Sequence, residues 1–191
     1  HIYDPPIVLY LKGDKNILNN LSLAIIGSRN CSFYGMQVAK DIAKNLSKYE
    51  INITSGLARG IDASAHIGSL SGNGKTVAVL GTGLDTIYPA ENKELANKII
   101  KTGGAIISEF IVGSAIKKTN FPKRNRIISG MSDGVLVVEA AKQSGTFITV
   151  DYALEQGKTV YAVPGNITSI NSYGTNELIK DGAKMVTNLK D

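Results

Sequence analysis

Cysteine, histidine and arginine are scarce in this sequence, and each scarcity narrows what the chain can do. Cys31 is the one cysteine among 191 residues, so an internal disulfide framework and a multi-cysteine metal site are both excluded. His1 and His66 are the only histidines; with one cysteine they make no recognisable metal-ligand cluster. Cys31 itself reads as a small residue in a turn rather than as a reactive thiol. No apolar run approaches the roughly 20 residues of a membrane span, and the start His1-Ile2-Tyr3-Asp4-Pro5-Pro6 has neither a charged nor an apolar leader region. A cytoplasmic location without membrane contact is therefore the default expectation. Repeats, low-complexity tracts and linkers are also missing, which predicts one domain over residues 23–191 preceded by a lead-in segment over residues 1–22. An initiator Met is absent, so flanking domains are expected outside the chain. A hydrophobic content of 43% with 19% charge is ordinary for a globular protein.

Acidic residues are locally scarce too. Between Glu109 and Asp133 there is none, while Lys117, Lys118, Lys123, Arg124 and Arg126 all fall in that gap. Such a cluster repels itself until an anion arrives, and phosphate suits the guanidinium fork. Phe121 lies within it and offers a ring on which a base can stack, the combination that holds single-stranded nucleic acid. A solvated basic loop with Phe121 in the core is the alternative. The net charge of +5 and a pI near 9.2 favour polyanionic partners. Of 21 basic residues only Arg29, Arg59, Arg124 and Arg126 are arginine, and each falls in a predicted turn or helix start.

Residues 23–26 are a short apolar run of the kind buried on both faces of a parallel sheet, and further strands are predicted at 51–55, 76–80, 105–108, 135–138 and 159–163. Glycine or hydroxyl turns follow most of them, and helices are predicted over 34–49, from the Gly56–Gly60 turn through Leu70, and over 91–101, 123 onward, 146–156 and 176–180. Strand, turn and helix in alternation predict an α/β, Rossmann-like, doubly wound fold with a mostly parallel sheet and helices on both faces. In such a sheet the ligand sits beyond the carboxyl ends of the strands. That rule gathers Gly27-Ser28-Arg29, Ser55-Gly56, Gly81-Thr82-Gly83, the basic loop with Lys118, Phe121, Arg124, Asn125 and Arg126, then Glu139, Ser144-Gly145-Thr146 and Pro164-Gly165 onto one rim. Glycines that only permit tight strand-to-helix packing are the competing explanation for any single turn.

Several motifs resemble nucleotide sites and fail on inspection. Ser71-Gly72-Asn73-Gly74-Lys75-Thr76 has Ser69 where a P-loop needs glycine, and it leads from helix to strand rather than the reverse. Gly81-Thr82-Gly83 has Thr86 in place of the third glycine of a dinucleotide fingerprint. No cofactor is therefore expected. Asp62 and His66, four residues apart, read as a hydrogen-bonded pair on a helix surface. Glu109 and Glu139 read as helix-cap or arginine partners, Asn125 and one arginine being placed to brace the loop against Glu139.

The turns taken together resemble the DNA processing protein A (DprA, or Smf) family. Its motifs match at Gly27-Ser28-Arg29, Ser55-Gly56-Leu57-Ala58-Arg59-Gly60-Ile61-Asp62, Gly83-Leu84-Asp85 with Tyr88-Pro89, Ser108-Glu109, Phe121-Pro122-Lys123-Arg124-Asn125-Arg126, Val138-Glu139-Ala140, Ser144-Gly145-Thr146 and Val163-Pro164-Gly165. The resemblance implies a non-enzymatic cytoplasmic protein that binds and protects incoming single-stranded DNA and assists RecA in natural transformation. It also implies a homodimer, often with flanking helical and winged-helix domains. The family's DNA pocket uses the arginine of the Gly-Ser-Arg turn, an aromatic platform and a lysine three residues before it, which fall on Arg29, Phe121 and Lys118. The rival is a nucleoside monophosphate phosphoribohydrolase of the lysine-decarboxylase-like group. Residues 142–149 lack that group's Pro-Gly-Gly, and no carboxylate closely follows Ser144-Gly145-Thr146.

Overall fold

A computed structural model describes residues 2–191. Its centre is an eight-stranded sheet formed by β1 (Tyr10–Gly13), β2 (Ser22–Ile26), β3 (Asn52–Ser55), β4 (Thr76–Val79), β5 (Ala105–Ser108), β6 (Gly134–Val137), β7 (Thr159–Ala162) and β8 (Lys184–Met185). Six α-helices alternate with the strands: α1 (Phe33–Leu46), α2 (Ile61–Ser71), α3 (Lys93–Lys101), α4 (Asn120–Gly130), α5 (Thr146–Glu155) and α6 (Tyr173–Lys180). Spatial order is β1-β5-β4-β3-β2-β6-β7-β8, with only β1 antiparallel to its neighbour. The chain winds outward from β2 through β3, β4 and β5, then returns to the other side of β2 for β6, β7 and β8. The predicted fold class is thus the observed one.

Successive residues of the central strands point to opposite faces, and both faces are covered. Ala24, Ile26, Val77, Val79, Val135 and Val137 pack with Ile127 and Ile128 of α4 and Val150 and Ala153 of α5. Ile25, Ile53, Leu136 and Val138 face Ala39 and Ala43 of α1 and Ile61 and Ala65 of α2. Farther along that second face, Ala78, Leu80 and Ile106 meet Leu95, Ala96 and Ile99 of α3.

Two expectations change. The lead-in segment is part of the sheet: Tyr10–Gly13 pairs with Ala105–Ser108, and Ile17, 2% exposed, joins the core. This strand escaped notice because its residues are only half covered, so no continuous apolar run marks it. The Asp62–His66 pair is not on a helix surface. His66 is buried against Thr76, with Nδ1 and Oγ1 2.6 Å apart, and the Thr76 hydroxyl also donates to the Ile53 carbonyl at 2.5 Å. That single hydroxyl proton is committed to Ile53, so the imidazole carries its own proton on Nδ1 and Nε2 is left without a partner among the described residues. Burial, with help from the Arg124 charge, lowers the His66 pKa to about 3.

Candidate nucleic-acid interface

The two directions of winding part between β2 and β6, and the sequence places its turns there. Ser28 N–H donates to the Glu139 carbonyl at 2.8 Å, and Ile61 N–H donates to the Ser28 carbonyl at 3.2 Å, tying the first turn to the end of β6 and the start of α2. Gly60 makes this possible: its φ is +73°, and a Cβ would lie 2.3 Å from the Ser28 carbonyl oxygen. Glu139, 2% exposed, turns its carboxylate onto Ser32, accepting from the backbone N–H at 2.8 Å and from the hydroxyl at 2.5 Å. Gly35 leaves it the room, since a side chain there would meet that carboxylate at 2.5 Å. Glu139 is therefore a helix-α1 partner, and bracing of the basic loop against it does not occur.

Between these turns lies a cleft of about 440 Å³. One wall is Gly27, Ser28, Arg29 and Asn30; the other runs from Ala141 through Gln143, Ser144, Gly145 and Thr146; Phe121, Arg124 and Asn125 of α4 close the side. Nine of the thirteen predicted site residues meet here. At the far wall the Ser144 hydroxyl accepts from Thr146 N–H at 3.2 Å and donates to the Thr146 hydroxyl at 2.8 Å, holding the first turn of α5 open to the cleft. Helix N-termini of this kind favour anions. Asn125 is half-buried, and its side-chain amide has no hydrogen-bond partner within the protein among the described residues.

The remaining four residues divide. Ser55 lies inside the sheet, where its hydroxyl donates to the Ile25 carbonyl at 2.7 Å. Gly56 borders a smaller pocket next to Phe121, and a Cβ there would lie 2.7 Å from the Arg124 guanidinium. Lys118 is exposed on the loop before α4, with no ion pair or hydrogen bond among the described residues. Arg126 is turned away from the rim: Nη1 and Nη2 each donate to a Glu109 carboxylate oxygen at 2.7 Å, and Nε donates to the Asp4 carbonyl at 2.8 Å. The gap in acidic residues is thus closed from its edge, because Glu109 takes Arg126 inside the protein and has Lys123 3.9 Å away outside.

Arg124 is also interior, at 4% exposure. Its Nη1 donates to the carbonyls of Gly56, at 2.7 Å, and of Val79, linking the ends of β3 and β4, while Nε has no partner. Burial lowers its pKa to about 10, so the guanidinium stays charged at neutral pH and forms a positive floor to the cleft. Asp62 lies near it and accepts from the Gly56 N–H at 3.1 Å. Burial raises the carboxyl's pKa against the pull of Arg124.

Above that floor stands an aromatic pair. The Arg29 guanidinium lies 5.7 Å from the centre of the Phe121 ring, and Tyr88 lies 5.3 Å from the same ring at an interplanar angle of 44°. Gly81 lets the ring settle, since a Cβ would come within 2.7 Å of it. Tyr88, 43% exposed, is the site residue that sequence reasoning missed. Tyr88-Pro89 stands among the matching family motifs, and an aromatic five residues beyond the Gly81-Thr82-Gly83 turn is the signal the sequence offers for it. Asn30, Ala58 and Gln143 also line the cleft and were not singled out.

Fold and cleft together define a Rossmann-like protein whose switch point carries a positive floor, an open helix N-terminus and a half-buried aromatic ring. The family model for DNA recombination-mediator protein A matches residues 1–191, and the chain belongs to that family. Protein Smf of Escherichia coli K12 is 47% identical over 184 residues, covering 96% of this chain and 49% of that protein. DNA processing protein DprA of Streptococcus pneumoniae is 44% identical over 190 residues, covering 100% of this chain and 67% of that one. Its solved structure superimposes with a TM-score of 0.92, over 98% of this chain and 65% of the other. DNA processing protein A from Helicobacter pylori, whose structure is described for its single-stranded DNA binding mode, gives a TM-score of 0.91 at 32% identity, covering 99% of this chain and 86% of that one. The molybdenum cofactor carrier protein of Chlamydomonas reinhardtii, at 17% identity and a TM-score of 0.59 over 89% of this chain and 91% of that one, shares the fold alone. The chain spans about half to two-thirds of the length of the curated relatives it matches, 49% and 67% for the two named.

Proposed function

We propose that this chain binds single-stranded DNA along the rim of the sheet, with a base stacked at Phe121 and phosphates held by Arg29, Lys118 and the Ser144-Gly145-Thr146 turn. The observation that carries the reading is the ring of Phe121 with Arg29 over it and Tyr88 beside it, at a positively floored cleft. A duplex hides its base faces, so a platform of this kind selects unpaired strands. Arg124 contributes long-range charge from beneath, and Arg126 contributes structure. Binding rather than catalysis is favoured by the carboxylates. Among the described residues Asp62 is the one carboxylate lining the cleft, and it is turned onto backbone N–H groups rather than toward a reacting water.

The same reading extends to the role the family resemblance implies: a homodimer acting in the cytoplasm that shields incoming DNA and assists RecA. Fluorescence anisotropy with labelled single-stranded and duplex oligonucleotides at two salt concentrations tests the core of it. Tighter, salt-sensitive binding to the single strand is expected. Equal affinity for both, or none for either, overturns the reading and makes nucleotide hydrolysis the next assay. Sedimentation of the free protein tests the dimer, and RecA filament formation on the bound strand tests the hand-over.

A further inference from the structure

Three pairs of a cation over an aromatic ring occur among the described residues. Arg29 over Phe121 is the pair already assigned. Lys184 over Tyr161, at 5.8 Å, lies away from the rim, on strands β8 and β7. Lys142 over Tyr173, at 5.3 Å, is different, because the fold returns it to the cleft. Gly174 N–H donates to the Ala140 carbonyl at 2.7 Å, and the Ala140 N–H donates to the Asn171 carbonyl at 2.8 Å, so the start of α6 lies against the end of β6. The Asn171 amide donates to the Asn30 carbonyl at 3.2 Å, and Asn30 belongs to the first wall of the cleft. Lys142 immediately precedes Gln143 of the second wall. Tyr173 is 43% exposed, so its ring is open to solvent.

We infer that Lys142 and Tyr173 form a second stacking station for the strand, on the side of the cleft away from Phe121. This rests on the proposed DNA reading and deepens it. A strand leaving Phe121 would cross the hydroxyl turn at the start of α5, place a phosphate near Lys142 and stack a later base on Tyr173. Stacking of this sort tolerates any base, because every base offers a π-face. The station therefore adds binding length rather than sequence preference.

The test compares oligothymidylates of about 4 and about 16 nucleotides, the ends of the usual site-size range, by anisotropy with wild type, Tyr173→Ala, Lys142→Ala and Tyr173→Phe. Tyr173→Ala is expected to weaken the long oligonucleotide about five-fold or more and leave the short one unchanged, while Tyr173→Phe keeps wild-type affinity. Lys142→Ala is expected to make only the long oligonucleotide's binding less salt-sensitive. Unchanged affinity of Tyr173→Ala for the long strand overturns the second station and leaves the Phe121 site standing. Equal losses on both lengths overturn it too, since Tyr173 would then be supporting the cleft itself; circular dichroism separates that from misfolding. Failure of wild type to bind either length removes the parent reading along with it.

Discussion

Two halves of one basic cluster behave in opposite ways. Lys118 and Arg29 stand in solvent at the rim, whereas Arg124 and Arg126, on a single helix, are turned inward at 4% and 3% exposure. Each of the interior pair has partners inside the protein: Arg126 has Glu109 and the Asp4 carbonyl, and Arg124 has two strand-end carbonyls with Asp62 nearby. A buried charge without such partners would not be held in the fold. The exposed pair has no carboxylate partner among the described residues, which is the condition for exchanging counterions with a phosphate backbone. Charge density along the chain marks the region; burial assigns the roles within it.

Breaking the interior half has the largest expected effect. Arg126→Ala leaves Glu109, with a side chain 9% exposed, to face only Lys123 at 3.9 Å. A loss of about 3 kcal/mol is expected in urea unfolding, the lower end for a broken buried pair. The folded fraction should keep its salt dependence for single-stranded DNA; a shallower slope would move Arg126 to the exposed half. Phe121→Ala is expected to cost about 1–3 kcal/mol of binding, read by anisotropy, with the salt slope unchanged because no charge is removed.

His66 sharpens the interior side through pH. Its pKa falls from 6.5 to about 3 on folding, so the unfolded chain binds the extra proton and the stability contributed is present above pH 6.5 and lost as pH drops toward 3. Between pH 7 and pH 5 this amounts to about 2 kcal/mol. Urea midpoints at both pH values should show it, and His66→Gln should flatten the difference. On the exposed side, Lys118→Ala should shallow the log–log salt slope by about 0.7 without moving the unfolding midpoint. The smallest effect belongs to Arg59 and Glu91, paired at 2.7 Å with side chains 57% and 54% exposed. Replacing either should leave the urea midpoint where it was, since solvent and salt screen such a pair.

The fold was legible because both-face burial leaves continuous apolar runs, and runs followed by glycine turns and helical spacing have few other solutions. Strand β1 was not, since its burial comes from one neighbour at the sheet edge. Much of the rim was legible as well: the topology rule brings Arg29, Phe121 and Ser144-Gly145-Thr146 together, and the cleft contains all of them. Ser55 was misplaced because a hydroxyl at a strand end can turn either to the rim or to a neighbouring carbonyl, and it turned to Ile25.

Sequence alone thus determined the alternation of elements, the side of the sheet on which the candidate site lies, and the excess of positive charge there. All three follow from local pattern and from a connection rule that holds for any parallel sheet. Tertiary structure decided which cations face inward, which carboxylate answers each, and which second ring stands beside Phe121. Those choices join residues far apart in the chain, such as Glu109 with Arg126 and Tyr88 with Phe121. They depend on which groups can be buried together without leaving a charge unpaired, a condition set by packing in three dimensions.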